Sequence, residues 1–399
     1  MRIALVSAYD FAYAGGVNTH ILQLKDNFTR LGHEVRIIAP SSRPDETVRD
    51  HDAIVFGKPV PIRASGSVVR SPISPRLLFS SRIKDVLRQE RFNVIHLHEP
   101  LMPMLPTSVL HHSSDELLVG TFHAYRSNSW GYTFWKPIIL QKWFDRLHGR
   151  IAVSSAAKEF IDKYFPGDYT IIPNGIDWQH FASDADAFPE YCDGKLNVLF
   201  VGRMEKRKGF KYLLGAYALV KREFPNCRLI VVGPHSRASR KYQALAAKRG
   251  IKDIVFTGFA TYNDLPRYYR TADVFCSPAT GKESFGMVLL EAMAAGKPVV
   301  ASRIAGYGAV VSHGADGLLV RPEDERALAD ALLQMLLDQS LRDRMGARGR
   351  VKAKDFGWDR VSREVLAYYE ELLEGHPKRI SEEIALAQRH ATQLGATPK

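Results

Sequence analysis

Short apolar runs alternate with helix-patterned stretches along most of the chain, and the alternation starts afresh near residue 173. That doubled pattern constrains the fold more than any other feature. In the first half, residues 3–6, 34–39, 94–98, 117–121 and 150–154 read as strands. Between the first two, Val17, Ile21, Leu22, Leu24 and Phe28 recur at helical spacing, a βαβ unit that predicts a parallel sheet. After Pro173-Asn174-Gly175-Ile176-Asp177 the series resumes at residues 196–201, 228–232, 254–256, 274–276, 299–301 and 317–320. The expected fold class is α/β, with two Rossmann-like doubly wound domains facing across a cleft. The expected bounds are 1–170 and 171–356 for the domains, 357–375 for a helix crossing back to the first, and 376–399 for a tail.

Composition narrows the class. The 399 residues are 45% hydrophobic and 25% charged, as in globular proteins, which excludes a largely disordered or collagen-like chain. No apolar stretch reaches the roughly 18–20 residues that span a bilayer. Met1 to Ser7 reads as a first strand and not as a secretion signal, so a cytoplasmic setting is expected. Cys192, Cys227 and Cys276 lie far apart, without the spacing of a disulfide framework or a zinc site, and no metal ligands are predicted. The net charge of +12 calls for an acidic partner: nucleic acid, anionic lipid or a phosphorylated substrate. No helix-turn-helix, zinc-finger or RNP-type motif accompanies the charge, so nucleic acid is not expected.

Three strand-to-helix junctions carry residues suited to phosphorylated ligands. Gly15-Gly16 opens the first helix, where free N–H groups favour an anion; the competing reading is an ordinary turn. Arg203-Met204-Glu205-Lys206-Arg207-Lys208 puts four cations in six residues at a strand end. Arginine grips two phosphate oxygens and lysine adds a point charge. A solvated basic loop is the alternative there. Glu283-Ser284-Phe285-Gly286-Met287-Val288-Leu289-Leu290-Glu291 enters another helix, whose first N–H groups can hold phosphate while the two carboxylates accept from hydroxyls; capping by acidic residues is the alternative. In the first loop, Asp10 and Asn18 are candidates to touch a second substrate. His98 and His123 stand at strand ends, where core packing and function compete as explanations.

Taken together, GGV, IAVS, PNGID, GRxxxxKG and E-S-F-G with a second Glu eight residues on occur in order over about residues 1–370. This series resembles the retaining glycosyltransferases of family 4, which implies the GT-B fold and a nucleotide-diphosphate sugar donor. Gly66-Ser67-Val68-Val69-Arg70, His98-Glu99-Pro100, Thr121-Phe122-His123 and Glu291-Ala292-Met293-Ala294-Ala295-Gly296 are most similar to segments of actinobacterial phosphatidylinositol mannosyltransferases. The resemblance implies an acceptor-binding first domain and a donor-binding second one. It places Gly16 against the donor phosphate, Arg203 and Lys208 on the diphosphate, and Glu283 on sugar hydroxyls. The helix start Ser284, Phe285, Gly286, Met287 and Val288 would meet phosphate, and Glu291 the ribose. His123, Arg203, Lys208 and Glu283 form the expected catalytic set. Asp10, Asn18, Ser67, Arg70, His123 and Arg126 form the acceptor set. This chain departs from the subfamily at Ala64-Ser65 and in the run Ala124 to Asn128, both on the inositol side.

The expected reaction moves a hexose, with mannose favoured, from a donor such as GDP-mannose to a phospholipid or glycolipid such as phosphatidylinositol. The alternative is hexosyl transfer from a UDP-sugar to a soluble phosphorylated or lipid acceptor. No tightly bound cofactor is expected, and Mg2+ arriving with the nucleotide sugar stays open. Residues 75–91 read as a basic amphipathic helix, suited either to an anionic membrane surface, such as the inner face of the plasma membrane, or to packing on the sheet.

Overall fold

The computed structural model describes residues 1–13, 15–64, 67–125 and 129–375. Arg126 and the expected tail at 376–399 lie outside the described residues. Strands β1 (Arg2–Ser7), β2 (Glu34–Ala39), β3 (Ala53–Val55), β6 (Val94–His98), β7 (Leu117–Phe122), β8 (Gly149–Ala152) and β9 (Thr170–Ile171) form a parallel sheet. Its order is β3-β2-β1-β6-β7-β8-β9, while β4 (Val60–Ala64) and β5 (Ser67–Ser71) pair as a separate antiparallel hairpin. The second sheet is also parallel, with β10 (Leu196–Val201), β11 (Cys227–Val232), β12 (Ile254–Gly258), β13 (Val274–Ser277), β14 (Val299–Ser302) and β15 (Gly317–Val320). It runs β12-β11-β10-β13-β14-β15.

Helices cover both faces of each sheet, so central strands are buried on both sides and read as continuous apolar runs. β7 is buried along its whole length, as are β11, β13 and β14. In each sheet the order reverses beside the first strand, between β1 and β6 and between β10 and β13. The crevice beyond the C-terminal ends of strands at such a reversal is where open α/β sheets bind ligands.

The helix Trp358–Glu374 belongs physically to the first lobe. Trp358, Val361, Val365, Leu366 and Tyr369 pack with Ile3, Leu5, Ile21, Leu24 and Phe28 in one core. The chain thus crosses between lobes twice, and the crossings lie side by side: Ile176 N–H donates to the Phe356 carbonyl, and Trp358 N–H to that of Ile176. Gly175 is needed at this junction, because a Cβ there would stand 2.4 Å from the Trp358 ring.

The stretch expected to be one amphipathic helix is two elements, a 3₁₀ turn at Pro75–Leu77 and a helix at Ser81–Glu90. Ile83 and Leu87 are buried in the first lobe's core, so the apolar stripe packs on the protein. Arg76, Arg82, Lys84, Arg88 and Arg91 remain exposed, as does Phe79.

Candidate functional site

The donor side is built where β10 and β13 end. Beyond β10 the chain makes a 3₁₀ turn, Lys206–Lys208, and leaves it through Gly209 at φ 70. That turn presents Arg207 and Lys208 to the loop after β13. Lys208 Nζ lies 2.9 Å from Glu283 Oε1, and the Arg207 guanidinium pairs with the same oxygen. Arg207 is held from behind by Glu205, at 2.8 Å. These side chains are largely covered, so the charges act at low effective dielectric. Arg203 instead pairs with Glu205 at 2.9 Å and is 56% exposed. Of the two cations assigned to the diphosphate from sequence, Lys208 is thus built into the carboxylate cluster, and Arg203 stands outside it in this state. Arg207, given no role from sequence, takes the inner place.

Gly209 is fixed by close approach as well as by conformation, since a Cβ there would lie 1.8 Å from the Pro278 carbonyl oxygen. Thr280 N–H also donates to the Arg207 carbonyl, so the two loops clasp. Gly209→Ala is expected to cost about 2 kcal/mol or more and to lower the unfolding temperature by roughly 5 °C. A calorimetric scan showing no shift would remove this account of the clasp.

Glu283 is followed by the helix Met287–Ala294, with Gly286 as its N-cap. The N–H groups of Met287 and Val288 have no partner within the helix. Phe285 is buried against Phe356 and anchors the loop, and the Ser284 carbonyl accepts from the Ser154 hydroxyl of the opposite lobe. Glu291 Oε2 accepts from the Tyr269 hydroxyl at 2.6 Å. Burial pushes the Glu291 carboxyl upward, against the pull of that hydroxyl and of the Lys208 charge. On the facing lobe, Gly16 begins the helix Gly16–Arg30. A Cβ at Gly15 or Gly16 would meet nothing within 4 Å, so no contact inside the protein demands these glycines.

Four histidines gather where β6 and β7 end: His96 and His98 of β6, His123 just after β7, and His20 from the helix Gly16–Arg30. His123 is fixed twice: its N–H donates to Glu99 Oε1 at 2.8 Å, and its Nε2 lies 2.9 Å from His98 Nδ1. His20 Nδ1 lies 3.0 Å from Asn174 Oδ1, in the crossing between lobes. His96 bridges Thr121 and Tyr369. Burial lowers all four: His20 to about 4, His96 to about 3, and His98 and His123 well below the ordinary imidazole value, with mutual repulsion adding to the effect on His96, His98 and His123. His20, His98 and His123 each offer one ring nitrogen within 4.8 Å of the others, enough to hold a divalent ion such as zinc. Sequence spacing could not show this group, because its members come from three distant segments. Glu99 and Lys282, neighbours of His98 and Glu283, sit at φ 57 and φ 61, a strained backbone that recurs at functional sites.

Other expected acceptor residues divide. Arg70 lies in β5 with its guanidinium 4.5 Å from the Tyr13 ring centroid. Ser67 begins the same strand. Asn18 is turned inward, donating to the carbonyls of Asp10 and Tyr13 and accepting from the Ser7 hydroxyl. That inward network ties Asn18 to the loop after β1. Asp10 Oδ1 accepts from the Ala12 and Ser42 N–H groups, and its buried Oδ2 has no partner among the described residues.

Residues 14–180 match the family described as Glycosyltransferase Family 4, and residues 187–352 match Glycosyl transferases group 1. A phosphatidyl-myo-inositol mannosyltransferase of Mycobacterium leprae is 36% identical over 371 residues, covering 93% of this chain and 96% of its own. The Mycobacterium tuberculosis enzyme of the same name is 37% identical over 379 residues, covering 93% and 97%. Among solved structures, a Rickettsia africae glycosyltransferase superimposes with a TM-score of 0.76 at 20% identity, covering 93% of this chain and 98% of its own. An Anabaena protein solved with UDP and glucose gives 0.73 at 17% identity, covering 93% and 100%. The two facing parallel-sheet lobes have the architecture of these solved proteins. With sequence similarity extending over nearly its whole length, the chain belongs to the family-4 glycosyltransferases and is a glycosyltransferase of GT-B fold.

Proposed function

We propose that the chain transfers mannose from GDP-mannose to phosphatidylinositol with retention of configuration. The observation that carries this reading is the Lys208–Glu283–Arg207 cluster at the β10/β13 reversal, opposite a histidine held at the end of β7. Support for the substrates comes from the names of relatives aligned over nearly the full length. As the glycosidic bond breaks, negative charge grows on the β-phosphate. Lys208, Arg207 and the N–H groups of Met287 and Val288 stabilise that charge once donor displaces the internal ion pairs. Glu283, released from those pairs, accepts from sugar hydroxyls, and Glu291 from the ribose. The acceptor hydroxyl attacks the anomeric carbon on the face the diphosphate leaves, and its proton passes to the departing phosphate oxygen. Arg70 meets the acceptor phosphate.

The enzyme works at the inner face of the plasma membrane in this reading. No helix among the described residues is long and apolar enough to cross a bilayer. The exposed basic face of Ser81–Glu90, with Phe79, Phe134 and Trp135, supplies a surface for anionic lipid. The test is incubation of purified protein with labelled GDP-mannose and phosphatidylinositol vesicles. A mannosylated lipid with an α-linkage is expected; product from UDP-glucose alone would overturn the donor assignment.

A further inference from the structure

Beside the end of β7, the first lobe contains a cavity of about 590 Å³. Protein interiors pack with few voids larger than a water molecule, so this space is not a packing residue. It is instead the size of a small-molecule site, which typically has about 300–1,000 Å³. Leu101, Met104, Tyr132, Trp143 and Phe160 give it an apolar wall. Its exposed lining is mostly apolar, and three of its polar side chains are bonded within the protein. Thr107 donates to the Met104 carbonyl, Ser129 Oγ accepts from Tyr132 N–H, and Glu99 Oε1 accepts from His123 N–H. Such a lining suits a hydrocarbon better than a sugar, nucleotide or inositol ring, which needs many hydrogen-bond partners. The cavity adjoins the ends of β6 and β7, since Glu99 and Ala124 line it and directly follow His98 and His123.

We propose that this cavity receives one acyl chain of the lipid acceptor while the head group stands at His123, an inference that rests on the phospholipid-acceptor reading above. The enzyme then draws its acceptor partly out of the bilayer and recognises its tail as well as its head.

Gly131 offers a way to test this, since it lines the cavity and a Cβ there would approach nothing closer than the Ser129 Oγ at 3.9 Å. Wild type and Gly131→Phe are compared on dioleoyl phosphatidylinositol in detergent micelles and on its deacylated product, glycerophosphoinositol. Thermal unfolding checks that the variant folds, and Thr107→Phe is the second filling variant should it not. The expected result is at least a tenfold loss of kcat/KM on the lipid with no change on glycerophosphoinositol. An unchanged rate on the lipid, or an equal loss on both acceptors, overturns the proposal. Should wild type mannosylate neither acceptor, the functional reading fails, and the cavity is judged by crosslinking to phosphatidylinositol with a photoreactive acyl chain. Labelling of Leu101 to Thr107 or Leu140 to Trp143 supports it, and labelling elsewhere or none overturns it.

Discussion

Replacing Lys208 by alanine is expected to lower kcat by about 10²–10³-fold, the loss typical when one preorganised donor to a developing anion is removed. The unfolding temperature should stay within a few degrees of wild type. The two effects separate because Glu283 is not orphaned by the substitution, as Arg207 remains on the same oxygen. In the free enzyme Glu283 occupies the cations that the phosphate needs, so binding replaces one anion with another and the fold need not rearrange. Steady-state kinetics, calorimetric binding of GDP and a thermal scan measure the three quantities. Wild-type turnover in a folded Lys208→Ala enzyme would remove Lys208 from the diphosphate site. Arg207→Ala should be damaging too, and the comparison with Arg203→Ala discriminates the inner cation from the outer one.

The second large effect is acid sensitivity of the first lobe. His20 titrates at about 4 in the folded protein against an ordinary value near 6.5. Over that window the unfolded chain binds more protons than the native one, so stability is full above pH 6.5 and falls as pH drops. At about 1.4 kcal/mol per pH unit, His20 alone accounts for roughly 3 kcal/mol by pH 4. His96, His98 and His123 act in the same direction. Glu99 faces His123, and Asn174, Thr121 and Tyr369 are the neutral groups bonded to the cluster. Glu291 and Asp273 oppose the trend, since burial raises their carboxyls. Urea unfolding between pH 8 and 5, with chelator present so that bound metal contributes nothing, should show stability falling below pH 6.5. The slope should be shallower in His20→Gln. A flat profile across this window would contradict the buried neutral cluster.

What the sequence could reveal follows from how each element is stabilised. Strands buried on both faces depend on their own apolar residues, so residues 34–39, 94–98 and 196–201 are the observed β2, β6 and β10. β3, the β4–β5 hairpin and β9 carry no such apolar run, being short or, in the hairpin, interrupted by Pro61 and Arg63. At the donor site, the motif placed Lys208 and Glu283 on facing strand ends. Which arginine turns inward is decided by the 3₁₀ turn and Gly209, a conformational fact that four adjacent cations do not encode. The histidine cluster depends on the register that sets His98 beside Thr121 and on a helix that brings in His20. The amphipathic pattern at 75–91 was real, but a pattern of apolar and basic residues does not say whether its apolar side meets lipid or protein.

The double crossing between lobes also has a consequence for synthesis on the ribosome. The core of the first lobe includes Trp358, Val361, Val365, Leu366 and Tyr369, roughly 200 residues after its last strand ends at Ile171. At about 5–20 residues per second, that interval is roughly 10–40 s. Through it, the face of β1 and of the helix Gly16–Arg30 that these side chains cover stays open to water and to whatever binds nascent chains. The core of the second lobe is complete by Ala353, before the returning helix begins at Trp358, so that lobe can close first. Translation order and folding order are therefore inverted, and the lobe that begins the chain is completed last.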